Sequence, residues 1–138
     1  MKFAYFYLCI SSLFLLIGCE KNENSIICGN CDAHISVEEL KYLKEMALKG
    51  DLDSANKVAQ YYLVWGNSKN IAEKLKWTEV AALLGSSSAQ YNLGTMLVYE
   101  PGDNCQKAIY WLTKSSLSGN DLAKQFLVSK TVKQKCQN

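Results

Sequence analysis

Six cysteines and a single histidine are the residues of this 138-residue chain best equipped to bind a metal, exchange electrons or activate a nucleophile. Cys28-Gly29-Asn30-Cys31 is followed closely by Asp32 and by His34, the lone histidine. A Cys-x-x-Cys pair serves redox exchange when it opens a helix within a strand–helix alternation, and no such alternation surrounds this one. Zinc needs four ligands. Cys28, Cys31 and His34 offer three, and Asp32 lies too close in sequence to complete a tetrahedron. A Ser–His triad would have to run through His34, ahead of the first expected helix. The chain has no Gly-x-Ser-x-Gly, no His-Glu-x-x-His and no phosphate loop. Glu73, Glu79 and Glu100 carry no pairing signal, and Glu45, Glu73 and Glu79 read as solvated helix faces. The expectation is a protein that works without catalysis, metal or cofactor.

The first residues read as an address. Lys2 precedes an apolar run from Phe3 to Ile17, broken at Ser11 and Ser12 and short of the roughly 20 residues that span a bilayer. The run ends in Leu16-Ile17-Gly18-Cys19, which resembles a bacterial lipobox. That resemblance implies cleavage after residue 18, diacylation of Cys19 and a periplasm-facing protein tethered to the envelope membrane. Glu20 after the cysteine leans toward the outer membrane. Each buried methylene contributes about 0.8 kcal/mol, so several acyl chains would hold the chain on a bilayer. Residues 19–35 then form a polar tether. In an oxidising compartment Cys28 and Cys31 are better read as a local disulfide than as a redox or zinc site.

Residues 36–138 make one domain. Without Lys2 the balance is 14 Lys against 13 acids, with no Arg. Bidentate phosphate and base recognition relies heavily on Arg, so nucleic acid is not an expected partner. Cys28, Cys31, Cys105 and Cys136 allow three disulfide connectivities. If two antiparallel helices turn at Gly119, Cys105 lies 14 residues before the turn and Cys136 lies 17 after it. At about 1.5 Å per residue the two arms nearly match, which favours a Cys105–Cys136 staple without excluding the other pairings.

The helices that position these residues follow from a repeat. Shifted by 34 residues, Ala55 falls on Ala89 and Ala123, Leu63 on Leu97, Leu75 on Ile109, Trp77 on Trp111 and Gly85 on Gly119. Gly50 sits one residue outside this register. Such a period marks stacked two-helix units, because one hairpin cannot bury its own apolar face. Ser36-Val37-Glu38-Glu39 reads as a capping box for a helix that stops at Gly50, with Tyr42 placed as Trp77 and Trp111 are. Helices are predicted near Asp53–Trp65, Ile71–Leu84, Ala89–Tyr99, Cys105–Leu117 and Leu122–Lys133, giving six in all. Pro101 heads a turn, and no strand is expected.

Lys76–Gly85, Ala89–Gly94 and Lys107–Gly119 resemble the Sel-one-like repeat, a relative of the tetratricopeptide repeat. The likeness covers roughly residues 40–128, with departures at Leu97, Glu100 and Ala59-Gln60. It implies an all-α, short right-handed α-solenoid whose first helices line a concave face. On that face it places Lys57, Tyr61, Val64 and Trp65, then Tyr91, Thr95, Val98 and Tyr99, then Gln125, Ser129 and Val132. Tyr61, Trp65, Tyr91 and Tyr99 would turn toward one groove, and aromatics are enriched at interface hot spots. Small lipoproteins of such repeats resemble immunity proteins that neutralise phospholipase-type effectors of the type VI secretion system. The resemblance therefore implies a protein partner, a secreted lipase effector, with an envelope adaptor as the alternative. The sequence leaves the oligomeric state open.

Overall fold

Glycine recurs at the turns of this molecule, and its conformation there sets the architecture. The computed structural model describes residues 20–22, 25–27, 35–65 and 70–136. The expected leader, Cys19, Cys28, Cys31 and His34 lie outside the described residues. Gly50, Gly85 and Gly119 have φ of 98°, 105° and 85°, the left-handed region in which a Cβ is penalised. Each ends a helix with the same pair of backbone bonds. Gly50 N–H donates to Ala47 O and Asp51 N–H to Met46 O; Gly85 and Ser86 do so to Ala82 and Ala81; Gly119 and Asn120 do so to Ser116 and Ser115. This is the Schellman closure. The residue after each glycine then caps the next helix: Asp51 accepts from Ser54 N–H at 2.7 Å, Ser86 from Ala89 N–H at 3.2 Å and Asn120 from Ala123 N–H at 3.2 Å.

Between these turns the described chain is helical: α1 Val37–Leu48, α2 Leu52–Trp65, α3 Ile71–Leu83, α4 Ser87–Tyr99, α5 Cys105–Leu117, α6 Asp121–Leu127 and α7 Lys130–Cys136. The protein is all-α in class, as its periodicity predicts. Ser36 starts α1 by accepting from Glu39 N–H at 3.1 Å. From α1 to α6 each helix packs on its neighbour in the chain, and α7 returns to touch α4, α5 and α6. The α3–α4 and α5–α6 turns are stitched together, since Ser115 Oγ and Asn120 Nδ2 both donate to Ser87 O, at 2.6 and 3.4 Å.

Four expectations are corrected. First, the tether is not free of strands: β1 Glu20–Asn22 pairs antiparallel with β2 Ser25–Ile27, with Glu20 opposite Ile27. Second, the last helix is two. Ser129 N–H donates to Phe126 O at 3.0 Å and Ser129 Oγ accepts from Val132 N–H at 3.3 Å, so Ser129 ends one helical segment and caps the next. The described residues thus hold seven helices rather than six.

Third, the repeat register of α2 moves by one. Counted from its turn glycine, α2 buries Ser54, Ala55, Val58 and Ala59 at the steps where α4 buries Ala89, Gln90, Leu93 and Gly94. The first unit is one residue longer than the second, and Val58-Ala59 supplies the large–small pair that Ala59-Gln60 had seemed to lack. Fourth, Tyr42 does not share the environment of Trp77 and Trp111. It is 59% exposed while Trp77 is 2% exposed. Both tryptophans pack into a cluster with Leu43, Val58, Ala81 and Leu93, toward the earlier helices. Among the described residues no helix precedes α1 to cover Tyr42.

A second cluster joins Val98, Ala108, Leu112 and Val132, flanked by Tyr91, Phe126 and Leu127. It lies where α7 closes over α4 and α5. Cys105 and Cys136, 31 residues apart, form a disulfide with their Cα atoms 5.1 Å apart, binding the end of α7 to the start of α5.

Candidate protein-binding surface

Helix–helix contact comes first, because it decides which aromatic side chains are left for a partner. Gly94 sits at the crossing of α4 with α5, where a Cβ would lie 2.7 Å from Leu112 Cγ and 3.0 Å from Ala108 O. That close approach draws Val98 inward. Val98 is 5% exposed and belongs to the second core cluster, a correction to its expected place on the concave face. Val132 is wholly buried in the same cluster.

The remaining predicted face divides rather than converging. Tyr61 is half-buried beside the first cluster and stands edge-on to Tyr62, with centroids 5.2 Å apart. Tyr91 is half-buried beside the second cluster and stands edge-on to Phe126 at 6.2 Å. Trp65 is half-buried, and Lys57, Val64 and Gln125 are exposed. Thr95 Oγ1 donates to Tyr91 O at 2.9 Å, which turns the hydroxyl back onto its own helix. Ser129 is occupied as a helix cap. Of the four aromatics on the predicted face Tyr99 is the most open, at 57% exposure, with Lys135 Nζ 5.2 Å from its ring centroid. In the corrected register the counterparts of Tyr91 and Thr95 on α2 are Asn56 and Gln60, not Lys57 and Tyr61.

A polar cluster that sequence reasoning missed ties three helices. Lys44 Nζ, on α1, donates to the Tyr62 hydroxyl of α2 at 2.7 Å and lies 4.0 Å from Glu73 Oε2 of α3. It also sits 5.0 Å from the Tyr62 ring centroid and 5.6 Å from that of Trp77. Glu73 Oε2 accepts from Trp77 Nε1 at 2.8 Å. The Trp77–Glu73 bond corrects the reading of Glu73 as an unpaired, solvated carboxylate; the i, i+4 spacing on one helix face was the signal for it. Lys44 had no such signal, since only packing brings it there. The exposures of Lys44 and Glu73, 30% and 42%, leave the ion pair wet and worth little by itself. Its geometry suits an interhelical clasp: a cation held against two rings, with the Tyr62 hydroxyl and the Trp77 indole N–H both hydrogen-bonded.

At the first turn, hydrogen bonding from Ser54, its hydroxyl first and its backbone N–H second, holds the Asp51 carboxyl below the ordinary range; desolvation opposes this, and the charge of Lys57 adds the least. Among the described residues no three His, Cys, Asp or Glu side chains gather as a metal site, and no helix is long and apolar enough to cross a membrane.

The chain is 33% identical over 98 residues to the uncharacterized protein YibG of Escherichia coli (strain K12), an alignment covering 67% of this chain. The chain spans 63% of the length of that relative. No protein-family model and no solved structure matches the chain.

Proposed function

We propose that this chain is a membrane-anchored, non-catalytic lipoprotein built as a short right-handed Sel-one-like solenoid. In this reading it binds and neutralises a secreted antibacterial effector of the phospholipase type in the periplasm. The observation that carries the binding reading is the recurring glycine-closed, cap-initiated helix stack. It leaves Tyr99 open and Trp65, Tyr61 and Tyr91 half-open, on rigid helices rather than loops. Large, pre-ordered aromatic side chains contribute contact area at low entropic cost. The choice of a toxin over another protein rests on the resemblance to immunity lipoproteins. A tether at Cys19 would concentrate the inhibitor where a lipase attacks.

The test is affinity capture with residues 20–138 exported to the periplasm as bait, presented with secreted effectors and read by mass spectrometry. A single stoichiometric lipase, with protection of cells that carry the chain, supports the inhibitor. Recovery of resident envelope machinery, with an envelope defect on deletion and no toxin present, replaces it with the adaptor.

A further inference from the structure

Charge is unevenly spread along this chain. Residues 36–120 hold nine Lys and nine acids, whereas residues 121–136 hold Lys124, Lys130, Lys133 and Lys135 against Asp121 alone. All four lysines are exposed, and among the described residues none is ion-paired. They are held on fixed backbone, because Val132 is buried between α4 and α5 and Cys136 is bonded to Cys105. Within the same segment Leu122 and Val128 are 59% and 68% exposed. The acids on adjoining elements are Glu100 and Asp103, in the turn that leads into Cys105 on the disulfide side of α7.

We infer that this C-terminal pole, α6 with α7, is a docking face for an anionic phospholipid bilayer. Lysines interleaved with exposed aliphatic side chains match the two layers of such a surface: ammonium groups meet the headgroup phosphates, and Leu122 and Val128 meet the acyl boundary. A protein partner is the poorer fit. Protein interfaces deplete Lys, and Lys is the residue type enriched here. Because the rest of the helical body is charge-neutral, attraction acts at one pole and orients the molecule. The docking face is independent of the inhibitor reading and survives its loss.

The experiment places the full chain on phosphatidylcholine vesicles with or without phosphatidylglycerol, labels lysines with an amine-reactive ester and reads each site by mass spectrometry. Labelling of Lys124, Lys130, Lys133 and Lys135 is expected to fall several-fold when phosphatidylglycerol is present. Lys57 and Lys107 are expected to stay unchanged, and high salt to restore labelling. Each lysine near an anionic surface strengthens docking by about fivefold. The Lys130→Glu/Lys133→Glu variant should therefore lose the protection at Lys124 and Lys135. Equal labelling on both vesicles overturns the inference. So does protection by soluble poly-L-glutamate without protection by phosphatidylglycerol, which would assign the pole to an acidic polypeptide.

Discussion

At the residue scale, the tightest constraint is Gly94. A Cβ there meets a backbone oxygen, Ala108 O, at 3.0 Å as well as the Leu112 side chain, so the helices themselves must part. Gly94→Ala gains helix propensity of about 1 kcal/mol yet overpacks the crossing by about 1–3 kcal/mol. The expected outcome is a lower melting temperature, and an equal or higher one would show that α4 and α5 separate freely. Asp51 makes a pH prediction. Its folded pKa is depressed by the Ser54 bonds, so its contribution is present above the unfolded value of about 4 and is lost as pH falls through the lower folded value. Asp51→Asn keeps a capping oxygen without the charge. The stability gap between wild type and variant should narrow as pH falls below about 4, and thermal melts across that range check it. A gap independent of pH would remove the charge from the account.

At the element scale, the C-terminal helix depends on its staple. α7 has only seven residues, fewer than an isolated helix needs to persist, and it is held by Val132 in the core and by the Cys105–Cys136 bridge. A loop of this length stabilises by about 3–4 kcal/mol in the chain-entropy account. Cys105→Ser is expected to lower the melting temperature and to raise amide exchange in α7 while α1–α3 stay protected. Unchanged melting would show that packing alone secures the end. The Lys44 clasp plays a similar part at the first described helix, where Tyr42 stands open.

At the scale of the whole molecule, binding and stability separate by location. The residues that hold the stack together, such as Trp77, Leu112 and Val98, are buried, whereas Tyr99 stands at the surface with Lys135 over its ring. Tyr99→Ala should leave the melting temperature within about 2–4 °C of wild type, as surface substitutions do. On the binding reading it should weaken the partner complex by about 2 kcal/mol, measured by calorimetry once the partner is in hand. Full affinity in that variant would move the binding face away from the end of α4.

The sequence by itself determined the helical class, most helix limits and the glycine stops, because periodicity, caps and left-handed glycines are local and each is written within a few residues. It also favoured the Cys105–Cys136 pairing, since two helical arms of similar length bring those thiols level. The one-residue shift of α2 was legible too: Gly50 stood outside the 34-residue register, and taking the glycine rather than Ala55 as the anchor places Val58-Ala59 on Leu93-Gly94. Only the tertiary structure decided the rest. Whether Val98 faces a partner or the core depends on how closely Gly94 lets α5 approach. Whether Lys44 is solvated or clasped depends on the distance between three helices. The break at Ser129 accompanies the burial of Val132 against α4 and α5. Packing of this kind links residues far apart in sequence, and a single chain carries no local mark of it.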